Sequence, residues 1–82
     1  MSSALDIFKR IITDTEDIFV RIPITEIAGK EKLNDDLGID SLGKVNLFYE
    51  ISDELETGDE EDVAVSWSTV DDVLRYIDEN KS

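Results

Sequence analysis

Three stretches of this chain carry apolar residues at helical spacing, and none can bury its apolar face alone. Leu5, Phe8, Ile11, Ile12, Ile18 and Phe19 recur at steps of three, four and seven across residues 3–20. Leu42, Val45, Phe48, Tyr49, Ile51 and Leu55 follow the same rule, with Leu47 widening the stripe. Val70, Val73, Leu74 and Ile77 form an i, i+3, i+4, i+7 set. Each stripe needs the others as cover, which predicts a small antiparallel all-α bundle around one core. A chain of 82 residues has room for a single domain, spanning 1–82.

The punctuation between the stripes is informative. Ser2 or Ser3 suits the cap of the first helix, and Asp6 suits its positive end. Lys9, Arg10, Asp14, Glu16 and Asp17 occupy much of its outer face. Pro23 predicts that this helix stops before Ile22. Residues 21–40 show no helical period and read as a long first loop, pinned by Ile22, Ile24, Ile27 and Leu33. Leu37-Gly38 reads as a sharp turn in which glycine takes a positive φ. Asp40 is placed to cap the middle helix, and Thr57-Gly58 to stop it, with glycine as the left-handed residue. Val63, Val65 and Trp67 alternate as in a short strand, but Val63 with Trp67 equally fits one or two helical turns. The acidic run Asp59-Glu60-Glu61-Asp62 before them favours a short helix. Ser68-Thr69-Val70-Asp71 has capping-box spacing for the last helix. The sum is three main helices and one short one.

Composition narrows the function. There is no cysteine and no histidine, which excludes a disulfide framework, a thiolate nucleophile, a Cys/His zinc site and a Ser-His-Asp relay. The net charge is −13. Such a chain repels phosphate backbones and anionic lipid, so the expected partner is a protein with a basic patch, not nucleic acid or membrane. Apolar residues make up 40% of the chain at regular spacing, which favours folding over disorder despite the charge. The residues from Met1 to Asp6 lack a secretion pattern, and a cytoplasmic monomer is expected. The acidic run lacks the calcium-loop pattern with its central glycine, and no metal site is expected. Paired carboxylates such as Asp35-Asp36 are too common here to signal acid–base catalysis, so the chain does not read as an enzyme.

The most specific string is Asp36-Leu37-Gly38-Ile39-Asp40-Ser41-Leu42. It resembles the Leu-Gly-x-Asp-Ser-Leu signature of the acyl carrier proteins. The likeness extends over nearly the whole chain. Leu33, Asp36, Leu37 and Gly38 lead into the signature, Val45 and Leu47 follow in register, and Ser68-Thr69-Val70 opens a similar closing helix. The resemblance implies that Ser41 receives a 4′-phosphopantetheine arm from a phosphopantetheinyl transferase, making the chain a phosphoprotein. It implies a free-standing carrier that holds acyl intermediates as thioesters, in fatty acid or related acyl-chain biosynthesis and so in lipid metabolism. Ser41 at a helix start suits an attached phosphodiester, with Asp40 as cap and Leu42 as an apolar neighbour. The resemblance also implies docking of Asp36, Asp40, Glu50, Asp53 and Glu54 on basic patches of acyl-transfer and chain-elongation enzymes. It implies an acyl pocket shaped by Leu33, Ile51, Leu55, Ala64 and Trp67, alongside the plain reading of Trp67 as core.

The chain departs from the family in two places. Gly43 and Asn46 stand where fatty-acid carriers often have acids, and Lys44 adds a positive charge. Asp59 and Glu60 stand where the family has an apolar residue and proline. These departures keep open a specialised carrier for polyketide, peptide or modified-lipid assembly, and, in a different class, an acidic interaction module that is never modified. The charge is also uneven. Residues 1–44 hold nine acids and six bases, while residues 45–82 hold twelve acids and two bases.

Overall fold

The computed structural model describes residues 3–15, 18 and 20–80. It contains α1 (Ala4–Asp14), a 3₁₀ turn (Ile24–Glu26), α2 (Ser41–Leu55), α3 (Asp62–Val65) and α4 (Val70–Asn80). Among the described residues there is no β-strand, only an isolated antiparallel bridge between Lys32 and Thr69. α1 packs on α4 and α2, and α2 packs on α3 and α4. The described residues therefore form a small all-α bundle of three main helices and one short one, with a long first loop. Ser2, Glu16, Asp17 and Phe19 lie outside the described residues.

α1 buries Ile7, Phe8, Ile11 and Ile12 on one face, and Ser3 caps it by accepting from the Asp6 N–H at 3.2 Å. It ends earlier than its apolar spacing predicts. Thr15 is extended, and both its N–H and its hydroxyl donate to the Ile11 carbonyl, at 3.0 and 2.7 Å. Ile18 is buried nonetheless, from outside the helix, with its N–H on the Thr15 carbonyl. A turn can return an apolar residue to the core at the spacing a longer helix would have used.

The loop after it is anchored as its isoleucines suggest. Ile27, Leu33, Leu37 and Ile39 are buried, with Ile22 and Ile24 packed against the core. Residues 29–33 run along the start of α4. Leu33 N–H donates to Ser68 O, Val70 N–H to Glu31 O and Asp71 N–H to Gly29 O. Loop carbonyls thus satisfy two of the N–H groups that a helix start leaves unpaired.

That pairing also shifts the capping box by one residue. The reciprocal pair is Thr69 and Asp72, not Ser68 and Asp71. Asp72 Oδ2 accepts from the Ser68 and Thr69 N–H groups at 2.8 and 3.0 Å, and Thr69 Oγ1 faces the Asp72 N–H at 3.4 Å. Those two N–H groups hold the Asp72 carboxyl below its usual range. Across the same clasp, the Gly29 N–H foremost, with that of Ala28, holds Glu31 low.

The stop of α2 differs as well. The left-handed residue is Glu56, at φ 56° and ψ 41°, two positions before Gly58. Glu56 and Thr57 both donate their N–H groups to the Ser52 carbonyl, the Glu56 bond being that of a left-handed helix ending. Side chains explain why the turn closes there. Thr57 Oγ1 lies 3.0 Å from Ser52 Oγ and 3.0 Å from the Tyr76 hydroxyl, so the chain is held to both α2 and α4 directly after Glu56.

Candidate functional site

Leu33, Leu37 and Ile39 are buried, and the backbone between them folds into a tight turn. Asp36 and Leu37 donate their N–H groups to Lys32 O, Gly38 to Asn34 O, and Ile39 to Leu33 O. Gly38 takes φ 78°, a conformation a side chain resists. Its missing Cβ also leaves room for Arg21, whose Nε would lie 3.0 Å from it. The turn delivers Asp40 and Ser41 to the surface, where both are exposed.

Ser41 is the first residue of α2, and Asp40 is its cap. Asp40 Oδ1 accepts from the Gly43 N–H at 2.8 Å, and Lys44 N–H closes the first helical bond on Asp40 O. The N–H groups of Ser41 and Leu42 precede that first bond, so the helix itself gives them no acceptor. An exposed primary hydroxyl therefore stands at the positive end of a fifteen-residue helix. This geometry suits an anion esterified to that hydroxyl.

Gly43 has a packing reason. A Cβ there would stand 2.9 Å from Ile39 Cγ2, and Ile39 is buried. Ile39 folds over the first turn of α2 and occupies the space a side chain at position 43 would need.

The outer face of α2 is more apolar than its sequence stripe suggests. Leu47, Phe48 and Ile51 are buried, but Leu42 is 69% exposed and Tyr49 is 54% exposed. Leu42, Asn46, Tyr49 and Asp53 recur at steps of four, three and four, so they share the face turned away from Ile51. The polar residues Asn46 and Asp53 at that spacing were the signal in the sequence. Val65, 70% exposed, adds a further apolar side chain on α3.

The five expected docking acids have different surroundings. Asp36 Oδ2 accepts from the Lys32 N–H at 2.8 Å and Asp40 from Gly43, so both have structural duties in the turn. Glu54 forms an ion pair with Arg10 of α1. Glu50 and Asp53 are exposed. Asp53 lines a polar depression of ≈ 430 Å³ with Tyr49, Ser52, Glu56 and Thr57.

Leu33, Ile51, Ala64 and Trp67, expected around an acyl chain, are all buried in the common core, with Leu55 packed against it. Trp67 sits 6.1 Å from Phe48 and 5.6 Å from Tyr76 between ring centres. Its outer edge meets a second depression of ≈ 310 Å³, shared with Ser66, Asp72, Arg75, Tyr76 and Glu79.

Tyr49, counted in the apolar stripe of α2, and Tyr76 of α4 bond to the acidic run through their hydroxyls. The Tyr49 hydroxyl donates to Glu61 Oε2 at 2.6 Å, and this bond, with the Glu61 charge, raises the phenol above its usual pKa. The Tyr76 hydroxyl donates to Asp59 Oδ2 at 2.8 Å. Burial raises the Tyr76 phenol, and Asp59 adds to that, while the Thr57 hydroxyl acts the other way.

Among the described residues no group of three or more acids is arranged to hold a metal ion. No described helix is long and apolar enough to cross a membrane. Compared with the known protein families, the chain matches no family model.

Proposed function

We propose that the protein is an acyl carrier, with Ser41 as the attachment point of a 4′-phosphopantetheine arm. The observation that carries this reading is the placement of the Ser41 hydroxyl, exposed on the first residue of a capped helix. Ser41 would hold the arm's phosphate as a diester, with the backbone N–H groups of the first turn facing it and Leu42 beside it. The arm would supply the thiol that this cysteine-free chain lacks, and with it the thioester chemistry. The chain's own residues attach, orient and present it; Asp40 keeps the helix start formed and Gly38 lets the turn before it close.

The docking surface we assign is the outer face of α2. Leu42 and Tyr49 offer apolar contact, and Glu50 and Asp53 offer charge to a basic patch on the transferase and on acyl-transfer and chain-elongation enzymes. Glu54, paired with Arg10, adds charge less freely than those two.

A specialised pathway is favoured by one observation. Ile39 fills the space beside Gly43, so position 43, two residues from Ser41, carries no side chain, acidic or otherwise. Partners in polyketide, peptide or modified-lipid assembly would meet a less acidic surface there than a fatty-acid carrier presents.

Loading unmodified protein with fluorescent coenzyme A and a broad-specificity phosphopantetheinyl transferase tests the assignment. Wild-type protein is labelled and Ser41→Ala is not. Labelling that survives in Ser41→Ala, or a wild type that is never labelled, contradicts it.

A further inference from the structure

We propose that the surface around Ser41 is the cationic pole of this acidic chain, and that it docks on a partner enzyme whose rim, where the serine enters, carries carboxylates. The proposal rests on the carrier reading and adds the chemistry of the partner. Three bases surround the turn and helix start that present Ser41. Arg21 lies along the turn: its N–H donates to Leu37 O at 3.0 Å, its Nη1 to Asp35 O at 3.4 Å, and its stem crosses the face of Gly38. The exposed Lys32 stands at the base of the same turn, where its carbonyl accepts from the Asp36 and Leu37 N–H groups. Lys44 is half-buried one helical turn beyond Ser41 on the same face, and a helical side chain leans back toward the helix start.

The acids beside them are engaged elsewhere. Asp36 Oδ2 accepts from the Lys32 N–H and Asp40 Oδ1 from the Gly43 N–H, both at 2.8 Å. No described carboxylate comes within ion-pair distance of Arg21, Lys32 or Lys44; the ion pair among the described residues joins Arg10 to Glu54. α2 also has no acid in its first turn, whereas α1, α3 and α4 each have at least one. The bases at the Ser41 end are therefore left to meet a partner, while its acids hold backbone.

The opposite pole lies along α2. Residues 45–82 hold twelve acids and two bases, and the exposed Asp53 stands about 18 Å along the helix from Ser41. That separation exceeds the screening length of about 8 Å at physiological salt, so a partner meets two fields and not an average of −13. A basic patch seated at Asp53 then leaves carboxylates, not further lysines, as the favourable groups over Ser41. The two fields together fix which way α2 lies on the enzyme.

Arm transfer by a broad-specificity phosphopantetheinyl transferase tests this, with the transferase in two engineered forms. One carries glutamates and the other lysines at the rim of its serine entrance. With the wild-type carrier the glutamate rim should give a KM about three- to tenfold below that of the lysine rim at low salt, with kcat unchanged. The difference should shrink as salt is raised. Lys44→Glu keeps the backbone bond to Asp40 and should reverse the order of the two rims; Arg21→Gln should narrow the gap. Lys9→Glu makes the same charge change beside Arg10, whose partner Glu54 is about 20 Å along α2 from Ser41, and should leave the order as it is. The proposal is overturned if the wild type prefers the lysine rim, if Lys44→Glu leaves the order unchanged, or if Lys9→Glu reverses it equally, while Ser41 is still labelled. A Ser41 that no form of the transferase labels overturns the carrier reading, and this proposal with it.

Discussion

At Gly43 local helix preference and packing disagree. Alanine in a helix is about 1 kcal/mol better than glycine, so Gly43→Ala should stabilise an isolated helix. In the folded chain the new Cβ would meet Ile39 Cγ2 at 2.9 Å. Ile39 is buried and branched at Cβ, so its methyl has nowhere to swing, and overpacking costs about 1–3 kcal/mol. Packing wins, and Gly43→Ala should lower Tm in a thermal melt; an unchanged or higher Tm would show that Ile39 does not pack on the first turn. Glu56 is the converse case. Its left-handed backbone strains a residue with a side chain, by about 1–2 kcal/mol, and it adds a carboxylate at the negative end of α2. Glycine's greater freedom in the unfolded chain offsets part of the relief. Glu56→Gly should still stabilise by about 1 kcal/mol and raise Tm by roughly 4–8 °C. A melting temperature that falls would mean that the Glu56 side chain contributes something its backbone does not reveal.

Among the elements, the start of α4 depends most on a single carboxylate. Asp72 accepts two backbone N–H groups, and losing such a cap costs about 1 kcal/mol, so Asp72→Ala should lower the urea midpoint accordingly. The pH dependence follows from the same bonds. Asp72 and Glu31 both sit below their usual values of 3.8 and 4.5 in the folded chain. The unfolded chain takes up these protons first, so their contribution is complete above the usual values and is lost as pH falls through the lower folded ones. Relief of the overall negative charge acts oppositely on acidification, so the comparison of wild type with Asp72→Ala isolates the cap. The gap between their urea midpoints should narrow toward low pH; a constant gap would contradict the role given to Asp72. The sequence made the box visible but placed it one residue early, because Ser68 is drawn into pairing with Leu33, a contact 35 positions away that no local pattern contains. α2 was legible from Asp40 through Ile51, since cap and stripe are local. Its outer face was misread at Leu42 and Tyr49, because apolar identity was counted before angular position. The end of α1 was hidden because Ile18 keeps helical spacing while reaching the core from a turn.

For the molecule as a whole, the net charge of −13 gains a location and a consequence. Twelve of the 21 acids lie beyond Lys44, with two bases beside them. Part of that charge is taken up structurally: Glu54 by Arg10, Glu61 and Asp59 by tyrosine hydroxyls, Asp72 by backbone N–H groups. What remains outward on α2, at Glu50 and Asp53, flanks Leu42 and Tyr49. The bundle therefore separates two tasks: a core that holds the helices, and an exposed serine displayed where α2 begins. The last of these is the centre of the functional account. Its most direct test is the intact mass of the protein purified from the cells that make it, followed by fragmentation to locate any added group. The account predicts a phosphopantetheine increment confined to Ser41, absent from Ser41→Ala; protein that emerges wholly unmodified, or carries the group on another residue, would contradict it.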